Sequence, residues 1–206
     1  MFALSRLRRW FRQNQFLGAY SAAMESHNVY ERTAAARFAL DIADGLDLWP
    51  DSAEPRARAV GKLHYVLGKG YETFEDDESQ NFSRMALEEF KTATSYLTPA
   101  DGADWARAMI ALSIAYASSP EGNHVENIER AIEAAESALQ VLEPERDHDD
   151  WLNAVVNLAS YYVGRRREIN SENVERARRL YEAALAQLGE AGTPVQRARL
   201  LIGLGE

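Results

Sequence analysis

An internal repeat of 46 residues constrains this chain more than any other feature. The run Glu126-Asn127-Ile128-Glu129-Arg130-Ala131 returns 46 positions later as Glu172-Asn173-Val174-Glu175-Arg176-Ala177, and each copy runs on into an Ala-Leu pair, Ala138-Leu139 and Ala184-Leu185. Trp105 and Trp151, Leu112 and Leu158, and Tyr116 and Tyr162 share the same offset. Two helix-sized segments therefore recur together and in the same order. A chain with such a period makes one supersecondary unit several times and buries each copy against the next. A looser copy upstream joins Val60, Leu63 and Leu67 to Ala86, Phe90 and Ala93, and a partial fourth carries Arg199, Ile202 and Glu206.

Within each copy the apolar spacing is helical. Ile128, Ala131, Ile132, Ala135, Ala138 and Leu142 share one face, as do Val174, Ala177, Tyr181, Ala184 and Leu188, with Glu and Arg opposite. Capping residues mark the expected starts: Asp101 or Asp104 before Trp105, Asp149 or Asp150 before Trp151, Ser171, and Thr193-Pro194. Prolines 50, 55, 99, 120 and 144 fall between the apolar runs, where they interrupt helices least. The reading is all-α, with about nine helices at 3–25, 29–46, 55–71, 80–97, 102–118, 124–142, 149–166, 171–188 and 193–205. Residues 1–50 form N-terminal helices that serve as a divergent repeat or a cap. Repeats then occupy 55–97, 102–142 and 149–188 within a segment 51–206 that ends in a terminal helix.

At Leu158, Ala159, Tyr162, Ala177, Tyr181 and Ala184 the pattern resembles that of the tetratricopeptide-repeat (TPR) family. Leu112, Ser113, Tyr116, Ala131, Ala135 and Ala138 match with an alanine at the second aromatic position. The family unit is about 34 residues long, so each of the two connections here is longer by roughly six residues. The longer unit is similar to arrays in bacterial multidomain proteins, including those fused to caspase-like CHAT peptidase domains; no such peptidase is present. The resemblance covers residues 55–206 and implies a right-handed TPR-like helical-hairpin solenoid whose first helices line a concave binding groove. Carried over residue by residue, it implies groove positions Arg58, Gly61, Tyr65 and Lys69, then Arg107, Ile110, Ile114 and Ser118, then Asn153, Val156 and Ser160. The alternative for Ile110, Ile114 and Val156 is packing between helices. The Lys and Asn arrangement with which chaperone-adaptor members clamp a carboxylate has no counterpart, which disfavours chaperone recognition.

Composition narrows the function classes. With 23 basic and 32 acidic residues the net charge is −9, unsuited to general nucleic-acid binding, which needs a broad positive surface. With no cysteine, disulfides, thiolate metal sites and cysteine nucleophiles are excluded. Arg6, Arg8, Arg9 and Arg12 interrupt the apolar run that a signal peptide requires, so the expected location is the cytoplasm. Asp147-His148-Asp149-Asp150 and Glu121-Gly122-Asn123-His124 gather possible ligands, but neither has metal-motif spacing, and acidic residues before helices cap free amides. Glu75-Asp76-Asp77-Glu78 lacks the turn glycine and alternation of a calcium loop. His64 beside Leu63 reads as a packing residue. No catalytic residue, metal or cofactor is assigned.

Two basic features remain. In the first helix Leu4, Leu7, Trp10, Phe11 and Leu17 share one face and Arg8, Arg9 and Arg12 another, a pattern that fits either a solenoid cap or docking on an anionic membrane or partner groove. Arg165, Arg166, Arg167, Arg176 and Arg179 form a candidate basic patch, with Glu168, Glu172 and Glu175 as competing partners. The leading expectation is a non-catalytic adaptor that binds a peptide or protein in its groove. Behind it stand a homo-oligomer assembled through the terminal helix, and membrane or nucleic-acid attachment through the N-terminal arginines.

Overall fold

The computed structural model describes residues 2–46, 49–50, 54–73, 79–165, 171–189 and 193–205; side chains 2–7, 79, 80 and 171 lie outside that description. Among these residues the chain forms nine α-helices and a single 3-10 turn, with no strand. They are α1 (Phe2–Glu25), α2 (Val29–Asp44), α3 (Arg56–Tyr71), α4 (Ser79–Tyr96), α5 (Ala103–Ser118), α6 (His124–Leu139), α7 (His148–Gly164), α8 (Ser171–Leu188) and α9 (Pro194–Leu204). Each helix packs on its chain neighbour within two compact units, Met1–Asp101 and Gly102–Glu206.

In the first unit α1 and α2 meet through small residues: Ala19 and Ala23 of α1 are buried, as are Ala36, Ala39 and Ala43 of α2. Phe16, wholly buried, lies against the Trp49 ring at 4.6 Å. The α3–α4 hairpin closes around Leu63, Leu67 and a fully buried Phe90. Here the backbones approach closely because α3 carries glycine on its packed face. A Cβ at Gly68 would stand 2.6 Å from the Phe90 ring, and one at Gly70 would overlap Thr33 of α2. His64, read as a packing residue, stacks on Tyr96 with ring centroids 5.9 Å apart and holds Nδ1 2.6 Å from Glu89 Oε2.

In the second unit the 46-residue offset becomes geometry. Leu112 and Leu158, Ala131 and Ala177, and Ala138 and Ala184 are all buried. Arg130 stacks over the Tyr116 ring at 5.7 Å and Arg176 over Tyr162 at 5.8 Å, while Glu126 pairs with Arg130 at 2.5 Å and Glu172 with Arg176 at 2.6 Å. One Tyr-Arg-Glu cluster thus locks the hairpin in both copies. The buried Asn127 explains the asparagine of the repeated motif, since its Nδ2 donates to the Glu121 carbonyl at 2.7 Å and ties the long α5–α6 connection to α6. For Asn173 the matching connection, 166–170, lies outside the described residues.

The caps differ in part from the sequence expectation. Thr193 and Gln196 form a reciprocal capping box on α9, as Thr193-Pro194 implied. Asn123 caps α6 by accepting from Val125 N at 2.9 Å. The aspartates before α5 and α7 do not cap them. Gly102, at φ 61°, holds the N-cap position of α5, and Asp101 instead accepts from Thr98 N at 2.8 Å within the preceding turn. Helix α7 starts earlier than expected, with Asp147 at its N-cap; that carboxylate faces back to Glu143 N at 3.2 Å and to the Arg146 guanidinium at 2.8 Å. Asp149 and Asp150 consequently fall in the first turn, where their charge opposes the helix dipole.

Candidate protein-interaction surface

The groove positions implied by the repeat pattern fall on α3 in the first unit and on α5 and α7 in the second. On each helix they divide by angle. Positions 107, 114 and 118 lie within a narrow arc, whereas 110 is rotated away by one helical step of three residues. Accordingly Arg107, Ile114 and Ser118 are exposed and Ile110 is buried, packed with Ala106, Ala138, Leu142 and Ala154. In α7 the same division leaves Asn153 and Ser160 exposed and buries Val156. In α3 it leaves Arg58, Tyr65 and Lys69 partly exposed and buries Gly61 against Leu97. Ile110, Val156 and Gly61 are therefore core residues rather than groove residues, and Ile114 is the apolar side chain left on the surface.

In the second unit α5 touches α7 and α7 touches α9. Arg107 Nε bonds Asp150 Oδ2 at 2.7 Å, and Ser113 Oγ lies 3.2 Å from the Tyr161 hydroxyl, so both ends of the α5–α7 contact are fixed. Burial pushes the Tyr161 phenol above its ordinary pKa. Ser160 Oγ donates to the Val156 carbonyl at 2.9 Å and lies 3.1 Å from the Tyr181 hydroxyl. Arg107, Asn153 and Arg199 recur at the 46-residue spacing on α5, α7 and α9, and all three are exposed. Ile114 and Ser160 repeat about two helical turns further along. In the first unit Arg58 pairs with Glu54 at 3.1 Å and lies 3.8 Å from Asp101, Lys69 pairs with Glu72, and the Tyr65 ring is tilted against Phe90 at 6.2 Å.

A depression in the second unit was not legible in the sequence. It measures about 310 Å³ and opens beside α6, α7 and α8, lined by Glu136, Leu158, Tyr162, Arg176, Arg179 and Leu180. Its charges answer one another: the Tyr162 hydroxyl donates to Glu136 at 2.5 Å, while Arg176 pairs with Glu172. Burial and the Glu136 carboxylate raise the Tyr162 pKa. No periodicity would reveal this depression, because its lining comes from three helices.

The basic patch reads differently in three dimensions. Arg165 makes a two-pronged pair with Glu129, both bonds 2.7 Å, and Arg179 bonds Glu175 at 3.0 Å. Arg165, Arg176 and Arg179 thus each face a glutamate; Arg166 and Arg167 lie outside the described residues. At the N-terminus Arg8, Arg9, Trp10 and Phe11 are exposed, Arg12 donates to the Gly45 carbonyl at the end of α2 at 3.1 Å, and the Leu7 side chain lies outside the description. Among the described residues no group of three or more His, Asp or Glu could hold a metal ion, and no helix is long and apolar enough to cross a membrane. No protein-family model and no curated protein matches this chain.

Proposed function

We propose that the chain is a protein-interaction module of tetratricopeptide-like construction that binds a peptide segment, without catalysing a reaction, across the exposed face of its first helices. The observation that carries this reading is the ladder on α5, α7 and α9: exposed Arg107, Asn153 and Arg199 at one register, with Ile114 and Ser160 at the next. Repetition of surface positions on touching helices presents a partner with exposed side chains at regular intervals. An exposed apolar anchor on α5, with the exposed Arg199 on α9, fits an extended or helical peptide that combines apolar and acidic residues. To test it, a displayed random-peptide library is selected on the full chain. Enriched peptides are expected to combine acidic and apolar residues, and Ile114→Asp is expected to weaken them about tenfold, the loss of one buried anchor. Selected peptides indifferent to Ile114→Asp and Asn153→Arg, yet sensitive to Glu133→Arg on α6, would move the site away from this face.

A second reading rests on Ile202. It occupies on α9 the register of Val156 on α7 and Ile110 on α5, both buried, yet it is 75 % exposed. A second copy of the chain covering it would complete that burial. Sedimentation that stays monomeric at rising concentration, unchanged by Ile202→Glu, counts against this assembly.

A further inference from the structure

Arg12 reaches the carbonyl of Gly45, where α2 ends, and the described side chains before it, Arg8 to Phe11, are all exposed, so this stretch of α1 forms an overhang. The packed face of α1, Phe16, Ala19 and Ala23, starts only after that point. On the overhang Trp10 is 60 % and Phe11 56 % exposed, with exposed Arg8 and Arg9 beside them. Two adjacent large aromatics held in water need an explanation that a cap on the helical stack does not supply.

Charge identifies the kind of surface that fits. In a chain of net charge −9, α1 carries four arginines, Arg6, Arg8, Arg9 and Arg12, and its one acidic residue, Glu25, is at the far end. By helical angle Leu4, Leu7, Trp10 and Phe11 share an apolar arc with arginines on either side. We infer that this overhang is a peripheral membrane anchor that lies along an anionic phospholipid surface, aromatics in the headgroup layer and guanidinium groups on lipid phosphates. An apolar arc bordered by arginine, with tryptophan at its edge, is the arrangement of helices that lie in the interface plane. A nucleic-acid duplex would engage the arginines through its phosphates and leave Trp10 and Phe11 without a role. The anchor acts alongside the peptide-binding face on α5–α9 and does not depend on it.

The full chain is mixed with vesicles of phosphatidylcholine alone or with about 30 % phosphatidylserine, at low salt and again at about 0.5 M salt, where screening shortens the reach of surface charge. Sedimentation with the anionic vesicles only, reduced at least about tenfold by the salt, is expected. Arg8→Glu with Arg9→Glu, and separately Trp10→Ala with Phe11→Ala, should each lower partitioning by about tenfold while circular dichroism stays unchanged, because all four residues are exposed. Brominated lipid should quench the part of the parent's fluorescence that Trp10→Phe removes. Absence of binding at low salt, or double variants that partition like the parent, overturns the anchor. Binding to a DNA duplex that excludes the vesicles and ignores Trp10→Ala with Phe11→Ala overturns it in favour of nucleic acid.

Discussion

Gly68 and Gly18 both lie inside helices, and propensity alone makes both weak points worth about 1 kcal/mol against alanine. Their surroundings separate them. A Cβ at Gly18 meets nothing within 4 Å, whereas one at Gly68 meets a Phe90 ring that is itself wholly buried. Gly18→Ala is accordingly expected to stabilise by up to about 1 kcal/mol, and Gly68→Ala to destabilise by about 1–3 kcal/mol because the packed ring has nowhere to go. Urea denaturation of the two variants checks the contrast; equal shifts of the same sign would remove the close approach of α3 and α4. Ile110 and Ile114 teach the same lesson for the site. They are one helical turn apart with the same side chain, and only the position of α6 and α7 decides that the first is core and the second surface.

For single helices, capping and ion pairing set the expected responses. The Thr193–Gln196 box is the start signal of α9, a helix of only 11 residues with Leu200 as its buried residue. Thr193→Ala should lower stability by about 1 kcal/mol and speed hydrogen exchange first in α9; unaltered exchange there would mean that packing on α8 alone sustains the helix. On α8, Glu175 accepts from Arg178 and Arg179, which hold its carboxyl at about 2 against an ordinary 4.5. A carboxyl depressed in the folded state binds its proton less readily than in the unfolded chain. Its contribution is therefore complete above about 4.5 and is lost as pH falls toward 2. Solvent exposure keeps the effect small. Carboxyl carbon shifts should report Glu175 titrating well below the ordinary 4.5, and Glu175→Gln should flatten part of the acid limb of stability; titration of Glu175 near 4.5 would show pairs that do not persist.

Across the whole chain, the unit Gly102–Glu206 holds its own core, from Ile128 and Leu152 through Tyr181 to Leu200. A fragment of residues 102–206 is therefore expected to fold alone, with helical circular dichroism and a cooperative urea transition; a non-cooperative transition would make the first unit essential to the second. The number of helices, their order and most of their ends were legible from spacing and punctuation, as α8 at 171–188 and α5 at 103–118 illustrate. Those signals are local: a 3.6-residue period, a cap or a proline acts within a few positions of itself. The 46-residue repeat extended that reach by making Tyr116 equivalent to Tyr162 and Arg130 to Arg176, while the stacking of each arginine on its tyrosine appears only in the folded chain. Local signals and their repetition thus suffice for the all-helical unit and its recurrence. Which side of each helix meets its neighbour is settled only when the helices pack. That choice buried Ile110 and Val156, neutralised Arg165 with Glu129 from 36 positions away, and left Trp10 and Phe11 exposed on α1. Burial and pairing are relations between faces brought together through space, and residues far apart in the chain carry no local signal of the partner that folding assigns them.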